Sequence, residues 1–77
     1  MNILILGTGC AKCKSLEKVT REVVDELKLD ATVTKVEDIV EIMSFGVMTT
    51  PALVVDGKVL VKGRVPDTKE IRQLLTK

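Results

Sequence analysis

The fold is decided by residues 2–13, NILILGTGCAKC, where a short apolar run ends at a glycine and two cysteines follow within a few residues. An apolar run of this length is typical of a strand that is buried on both faces of a sheet. Gly7 ends the run, and a helical pattern begins soon after it. The stretch therefore predicts a buried strand over residues 2–6 that turns directly into a helix carrying the cysteines.

The strongest helical pattern in the chain lies over residues 11–27. Buried-type side chains recur there at intervals of three and four residues, as they do on the inner stripe of an amphipathic helix. The stripe consists of Cys13, Leu16, Thr20, Val23, Val24 and Leu27. Most other positions are charged, so we expect this helix to bury one face and expose the other.

The middle of the chain predicts a second strand and a short second helix. Residues 31–36 are rich in Thr and Val, which favour strands, and the segment is too short for another long helix. The helix that follows is predicted to turn Ile39, Ile42 and Met43 inward. Gly46 is predicted to end it in the left-handed conformation.

Two short apolar segments, residues 52–55 and 58–61, are separated only by Asp56 and Gly57. A two-residue Asp-Gly loop favours the type I′ turn, whose twist matches that of paired strands. This pattern predicts a β-hairpin.

Asp67 and Glu70 have the spacing of a capping box, and the apolar stripe of a last helix follows with Ile71, Leu74 and Leu75. The predicted order of elements is therefore βαβαββα. A helical crossover makes the first two strands parallel, and the hairpin makes the last two antiparallel. We expect an α/β fold in which a four-stranded mixed sheet is flanked by three helices.

The composition is that of one folded domain spanning residues 1–77, with 45% hydrophobic and 30% charged side chains. A net charge of +1 produces no long-range attraction to nucleic acid or to an anionic membrane, so we expect neither as a partner. The apolar runs are far shorter than the ~20 residues of a membrane-spanning helix, and the N-terminus lacks a secretory signal pattern. These features predict a soluble, cytoplasmic protein.

Histidine is absent, so the commonest general base and metal ligand are missing and any chemistry falls to Cys10 and Cys13. Three interpretations of this pair compete. A structural disulfide would close so short a loop that it would stabilise the fold by only about 2 kcal/mol. A zinc site would have two of its usual four ligands. A redox dithiol suits the spacing, because one helical turn brings residues three apart to the same side.

The positions of the two cysteines in the helix predict different roles for them. Cys10 lies at the helix start, where unpaired backbone N–H groups and the neighbouring Lys12 stabilise a thiolate. We therefore expect its pKa to lie below the ~8.5 of a free thiol. Cys13 lies one turn further on and continues the apolar stripe, so it should be less exposed. Cys10 is therefore predicted to be the attacking thiol, and Cys13 the resolving thiol.

A second motif, FGVMTTPALVV at residues 45–55, accompanies the cysteines, and together the two motifs resemble the thioredoxin superfamily over nearly the whole chain. The chain looks most like the small, glutaredoxin-sized members of prokaryotes, the redox-active disulfide protein family. This resemblance implies a thiol–disulfide oxidoreductase that binds no cofactor and works through a reversible Cys10–Cys13 disulfide. It also implies a cis Thr50–Pro51 bond beside the dithiol and recycling by a reductase.

The chain departs from the patterns of typical thioredoxins and glutaredoxins near the cysteines. Gly9 stands where thioredoxins have an aromatic residue, Ala11 and Lys12 replace their Gly-Pro, and the chain has no Tyr or Trp. A flat apolar wall is usually expected beside bound glutathione, and Gly9 together with the absence of Tyr and Trp removes that wall from this chain. Gly63 and Asp67 partly resemble the residues with which glutaredoxins hold glutathione. This partial match is insufficient, because small-ligand sites need several converging groups. The sequence therefore favours protein disulfides as targets over glutathione.

The predicted substrate-binding residues flank the dithiol on the two motifs. They are Ala11, Lys12, Met48, Thr50 and Pro51. The predicted partners are protein disulfides and a flavin-dependent, thioredoxin-type reductase, and the chain is expected to act as a monomer.

The alternative function is that of a soft-metal carrier, which would bind copper or zinc through the same cysteine pair. The chain is similar in length to heavy-metal-associated domains, which also place a CxxC motif after their first strand, and thiolates suit Cu(I). Two features oppose this resemblance. The Gly-Thr-Gly-Cys stretch replaces the Met-x-Cys of that family, and the predicted order ends in a helix rather than a strand.

Overall fold

The computed structural model describes residues 1–9 and 11–76. The elements are, in chain order, β1 (Asn2–Leu6), α1 (Ala11–Glu26), β2 (Thr32–Val36), α2 (Ile39–Ser44), β3 (Ala52–Val55), β4 (Lys58–Lys62) and α3 (Thr68–Leu75). The predicted βαβαββα order is confirmed. No helix in the described part of the chain is both long enough and apolar enough to cross a membrane.

The four strands form one mixed sheet in the order β2-β1-β3-β4. β1 is parallel to β2, and it is antiparallel to β3, which in turn is antiparallel to β4. The predicted mixed sheet is confirmed. At one end of the β1–β3 pair, Leu6 lies opposite Ala52. The segment that leaves β1 and the segment that enters β3 therefore emerge side by side.

Helices cover both faces of the sheet because apolar residues occupy both faces of the central strands. Successive side chains of a strand point to opposite faces, so Ile3 and Ile5 lie on one face of β1 and Leu6 on the other. The first face packs with α1 and α3 in a cluster of Ile3, Ile5, Leu16, Val23, Leu53, Val61, Ile71 and Leu75. The second packs with α2 in a cluster of Leu6, Val36, Ile42, Val47, Ala52 and Val54. Burial of each large side chain contributes about 1.5–3 kcal/mol.

The predicted boundaries of three elements differ from the observed ones by a single residue. α1 ends at Glu26, β2 begins at Thr32, and β4 extends to Lys62. The helix ends early because the chain enters the left-handed region at Lys28, where φ is 51°. Leu27 nevertheless packs against the core from just beyond the helix.

The prediction for α2 was wrong at two of three positions. Ile42 is buried, but Ile39 and Met43 are each 56% exposed. A six-residue helix has less than two turns, so only one of its positions lies squarely over the sheet. Gly46 has a φ of 77°, and the predicted left-handed end of this helix is confirmed.

The predicted hairpin turn is confirmed, since Asp56 and Gly57 have φ values of 50° and 84°, both positive as a type I′ turn requires. The sequence pattern did not indicate the irregularity behind the turn. Leu53 pairs with Val61 and Val54 with Val59, which leaves Leu60 of β4 as the extra residue of a bulge.

The predicted capping box at α3 is only half formed. Asp67 caps the helix by accepting a hydrogen bond of 2.8 Å from the Glu70 backbone N–H. The Glu70 carboxylate does not reach back, because both of its oxygens accept hydrogen bonds from the Arg64 guanidinium. That hydrogen bonding lowers the pKa of Glu70 from its ordinary value. The ion pair fastens the segment after β4 to the last helix.

Thr20, on the inner stripe of α1, is fully buried, and its hydroxyl has no hydrogen-bond partner among the described residues. An unsatisfied buried hydroxyl costs about 1–3 kcal/mol, whereas valine fills nearly the same space without a polar group. We therefore expect Thr20→Val to raise the free energy of unfolding by about 1–2 kcal/mol in denaturant titration. The exposed Thr34→Val is the control and should change stability by less than about 0.5 kcal/mol. Equal or lower stability of Thr20→Val would contradict this prediction.

Candidate active site

The cysteine motif lies where β1 turns into α1, at one end of the central strand. Cys10, the predicted nucleophile, lies outside the described residues. Ala11 and Lys12 are exposed in the first turn of α1. Cys13 is 5% exposed and is disulfide-bonded. The predicted burial of Cys13 is confirmed, and its side chain continues the buried stripe towards Leu16.

The second motif enters the same end of the sheet from β3. The Thr50–Pro51 peptide bond is cis, and Pro51 is fully buried. The carbonyl of Pro51 accepts a hydrogen bond of 2.8 Å from the Gly63 backbone N–H at the end of β4. A Cβ added at Gly63 would lie 2.9 Å from the Thr49 hydroxyl, so this glycine lets the two segments approach closely. The loop before β3 is thus held in place by β4.

A cavity of about 180 Å³ opens between these loops and α2. It is lined by Thr8, Ile39, Ile42, Met43, Val47, Met48 and Thr50. Thr8 belongs to the segment before the cysteines and Thr50 directly precedes Pro51, so the cavity joins the two motifs. None of the described residues that line the cavity is charged. The cavity can therefore accept an apolar group next to the segment that leads from β1 to the cysteine motif.

The predicted site residues are only partly brought together. Met48 and Thr50 line the cavity, whereas Ala11 and Lys12 do not. Met48 is 86% exposed at the rim. Sequence reasoning missed the contributions of Ile39 and Met43. One signal was available, since four of the six residues of α2 are apolar while so short a helix can bury few of them.

A larger and more open cavity of about 680 Å³ lies between the second half of α1 and β2. Its lining is mainly charged at the rim and contains none of the predicted site residues. It consists of Arg21, Glu22, Val24, Asp25, Lys28, Leu29, Ala31 and Val33. Groups of three or more side chains suited to holding a metal ion are absent from residues 1–9 and 11–76.

Comparison with known proteins gives concordant results over nearly the full chain. A family model described as "Thioredoxin domain" matches residues 1–76. The chain is 43% identical over 76 residues to "Thioredoxin" of Methanothermobacter thermautotrophicus, an alignment that covers 99% of both chains. It is 37% identical over 73 residues to "Thioredoxin" of Methanocaldococcus jannaschii, covering 95% of this chain and 84% of the relative. It is 39% identical over 77 residues to "Probable Thioredoxin" of Archaeoglobus fulgidus, covering 96% and 84%.

Proposed function

Since this chain belongs to the thioredoxin family of thiol–disulfide oxidoreductases, we propose that it reduces disulfide bonds of other proteins through Cys10 and Cys13. The observation that carries the proposal is the juxtaposition at one end of the sheet. There Gly7, whose backbone lies against the Cys13 side chain, and Thr8 leave β1 beside the segment that enters β3, and Thr8 and Thr50 line the same apolar cavity. The metal-carrier alternative gains no support from the comparisons.

The proposed reaction has two exchange steps. The Cys10 thiolate attacks one sulfur of the target disulfide, forming a mixed disulfide as the target bond breaks and the first target thiolate leaves. The Cys13 thiolate then attacks the Cys10 sulfur and releases the second target thiolate. Both released thiolates take up protons from solvent. The target has gained two electrons and two protons, and the chain is left with a Cys10–Cys13 disulfide, which a reductase returns to the dithiol.

The surroundings of the site support a protein target over glutathione. Glutathione is an anionic peptide, and anionic ligands are usually held by cations or by converging backbone N–H groups. The lining residues that the structure describes are uncharged, and the Arg64 guanidinium beyond Gly63 is already paired with Glu70. An apolar rim formed by Met43 and Met48 instead suits a polypeptide that packs side chains beside its own disulfide. We propose that the chain does so as a cytoplasmic monomer.

The proposed function is tested with three assays on one preparation. The first couples reduction of a protein disulfide to NADPH and a flavin-dependent, thioredoxin-type reductase, the second follows glutathione-dependent reduction of a small mixed disulfide, and the third titrates Cu(I) and Zn(II) against a chelator. We expect turnover only in the first, and none in a control variant with both cysteines changed to serine. Efficient glutathione turnover without reductase activity would make the chain a glutaredoxin. Stoichiometric metal binding without disulfide exchange would make it a carrier.

A further inference from the structure

We propose that Gly7 is a positioning residue that sets the location of the Cys13 sulfur for the second exchange step. Gly7 is the residue directly after β1, and it is buried. A Cβ built on it would press into the Cys13 Sγ and would lie 2.9 Å from the Cys13 Cβ. The Cys13 side chain therefore occupies the space that a side chain at position 7 would fill. This inference rests on the proposed function, because it assigns Cys13 the resolving role.

Backbone conformation does not explain the glycine. The left-handed glycines of the described chain are Gly9, Gly46, Gly57 and Gly63, and Gly7 is not among them. Alanine could adopt the same backbone, so the conflict lies in the contact with Cys13 alone. In this respect Gly7 differs from Gly9, which has a positive φ and for which, among the described residues other than its chain neighbours, no atom lies within 4 Å of an added Cβ.

The backbone at Gly7 is not free to move away from Cys13. Its N–H donates a hydrogen bond of 2.9 Å to the carbonyl of Val36, which extends the pairing of β1 with β2 by one residue. Val36 is itself buried in the cluster beneath α2. A side chain added at Gly7 would therefore be accommodated by displacement of Cys13 rather than of the strand.

Rotation of the Cys13 side chain alone does not relieve the conflict, because the added group would also approach its Cβ. Carbon contacts are favourable at about 3.5–4.0 Å, so the first turn of α1 must shift. Leu16, one turn further along, is fully buried and resists a shift of the whole helix. The displacement is thus concentrated at the first turn, where the Cys13 sulfur must reach the mixed disulfide.

Disulfide exchange is sensitive to such a displacement. The Cβ atoms of two bridged cysteines lie only about 3.5–4.5 Å apart, and misplacement of a reacting group by about 1 Å can slow a reaction by about 100-fold. Attack by Cys10 on a target does not require Cys13. We therefore expect Gly7→Ala to slow resolution by about 10- to 100-fold while the first step continues.

The test is single-turnover reduction of a protein disulfide by Gly7→Ala with both cysteines present. Release of the first target thiol should match that of the unmodified chain, and the mixed disulfide should then persist on non-reducing gels. The reduction potential should shift upward, because the displaced sulfur forms a less stable disulfide. Gly57→Ala is the control. Gly57 is a turn glycine with a positive φ, and among the described residues other than its chain neighbours no atom lies within 4 Å of an added Cβ. This control should leave the potential and the resolution rate unchanged.

A double-mutant cycle keeps the test decisive if Gly7→Ala folds poorly. Under reducing conditions, Gly7→Ala should lower stability less in a Cys13→Ala background, where the sulfur is gone, than in the original chain. Equal losses in the two backgrounds, or resolution and potential equal to those of the unmodified chain, would overturn the proposal. If the unmodified chain reduced no protein disulfide, the proposed function would fail, while the potential and the cycle would still report on Gly7.

Discussion

Cys13→Ser should form a stable covalent complex with a target protein under conditions in which Cys10→Ser forms none. The first exchange step joins the attacking sulfur to the target, and without a second thiol nothing in the chain releases it. The trapped complex should appear on non-reducing gels and disappear on addition of a small dithiol. This is an all-or-none difference between two variants that each lose one sulfur atom.

The structure contributes to this assignment through Cys13, which is 5% exposed and continues the buried stripe of α1. A cysteine residue with so little exposed surface is poorly placed to meet a disulfide of another protein. Cys10 is assigned from the sequence, because it directly precedes Ala11, the first residue of α1, and backbone N–H groups at a helix start stabilise a thiolate. The rate of alkylation of Cys13→Ser should therefore titrate with a midpoint below ~8.5. Trapping by Cys10→Ser instead would reverse the two roles.

The fold could be predicted from the sequence where burial follows a simple period. The stripe of α1 and the apolar run of β1 each dictate one packing arrangement, because any other would expose several large apolar side chains. The hairpin was equally determined, since Asp56 and Gly57 can both take a positive φ. These signals are local, so a single sequence contains them.

The features that the sequence did not predict depend on contacts between a loop and a helix that no helical or strand period specifies. Glu70 has the spacing to complete a capping box with Asp67, yet Arg64 occupies its carboxylate. The role of Gly7 depends on the Cys13 side chain, which packs against Gly7 after the chain turns into α1. In both cases the residue types were visible, and the competing contact was set by tertiary structure.

The candidate site also combines features that a local pattern predicts with features that only tertiary structure determines. Its two motifs could be found by residue type, but the apolar surface between them could not. The helical period alone predicted that Ile39 and Met43 point inward. Their side chains instead line the cavity that joins Thr8 to Thr50. Exposed apolar groups clustered beside a reactive centre are typical of a surface that binds another molecule.

Met43→Asp and Met48→Asp should each reduce kcat/KM for a protein disulfide by about 30-fold, which corresponds to about 2 kcal/mol. Each change removes apolar contact with the target and places a carboxylate where binding would exclude water. Val40→Asp is the matched control, because Val40 is also on α2 and is 71% exposed, yet it does not line the cavity. The change in kcat/KM for this control should correspond to less than about 0.5 kcal/mol of free energy.

The same variants separate docking from chemistry. Their reduction potentials and their rates with a small aliphatic disulfide should equal those of the unmodified chain, because such a substrate is too small to cover the rim at Met43 and Met48. Loss of activity towards protein and small disulfides alike would show that the carboxylates perturb the dithiol itself. Equal losses in Val40→Asp and Met43→Asp would show that the whole exposed face of α2 contacts the target and that the cavity has no special part in binding.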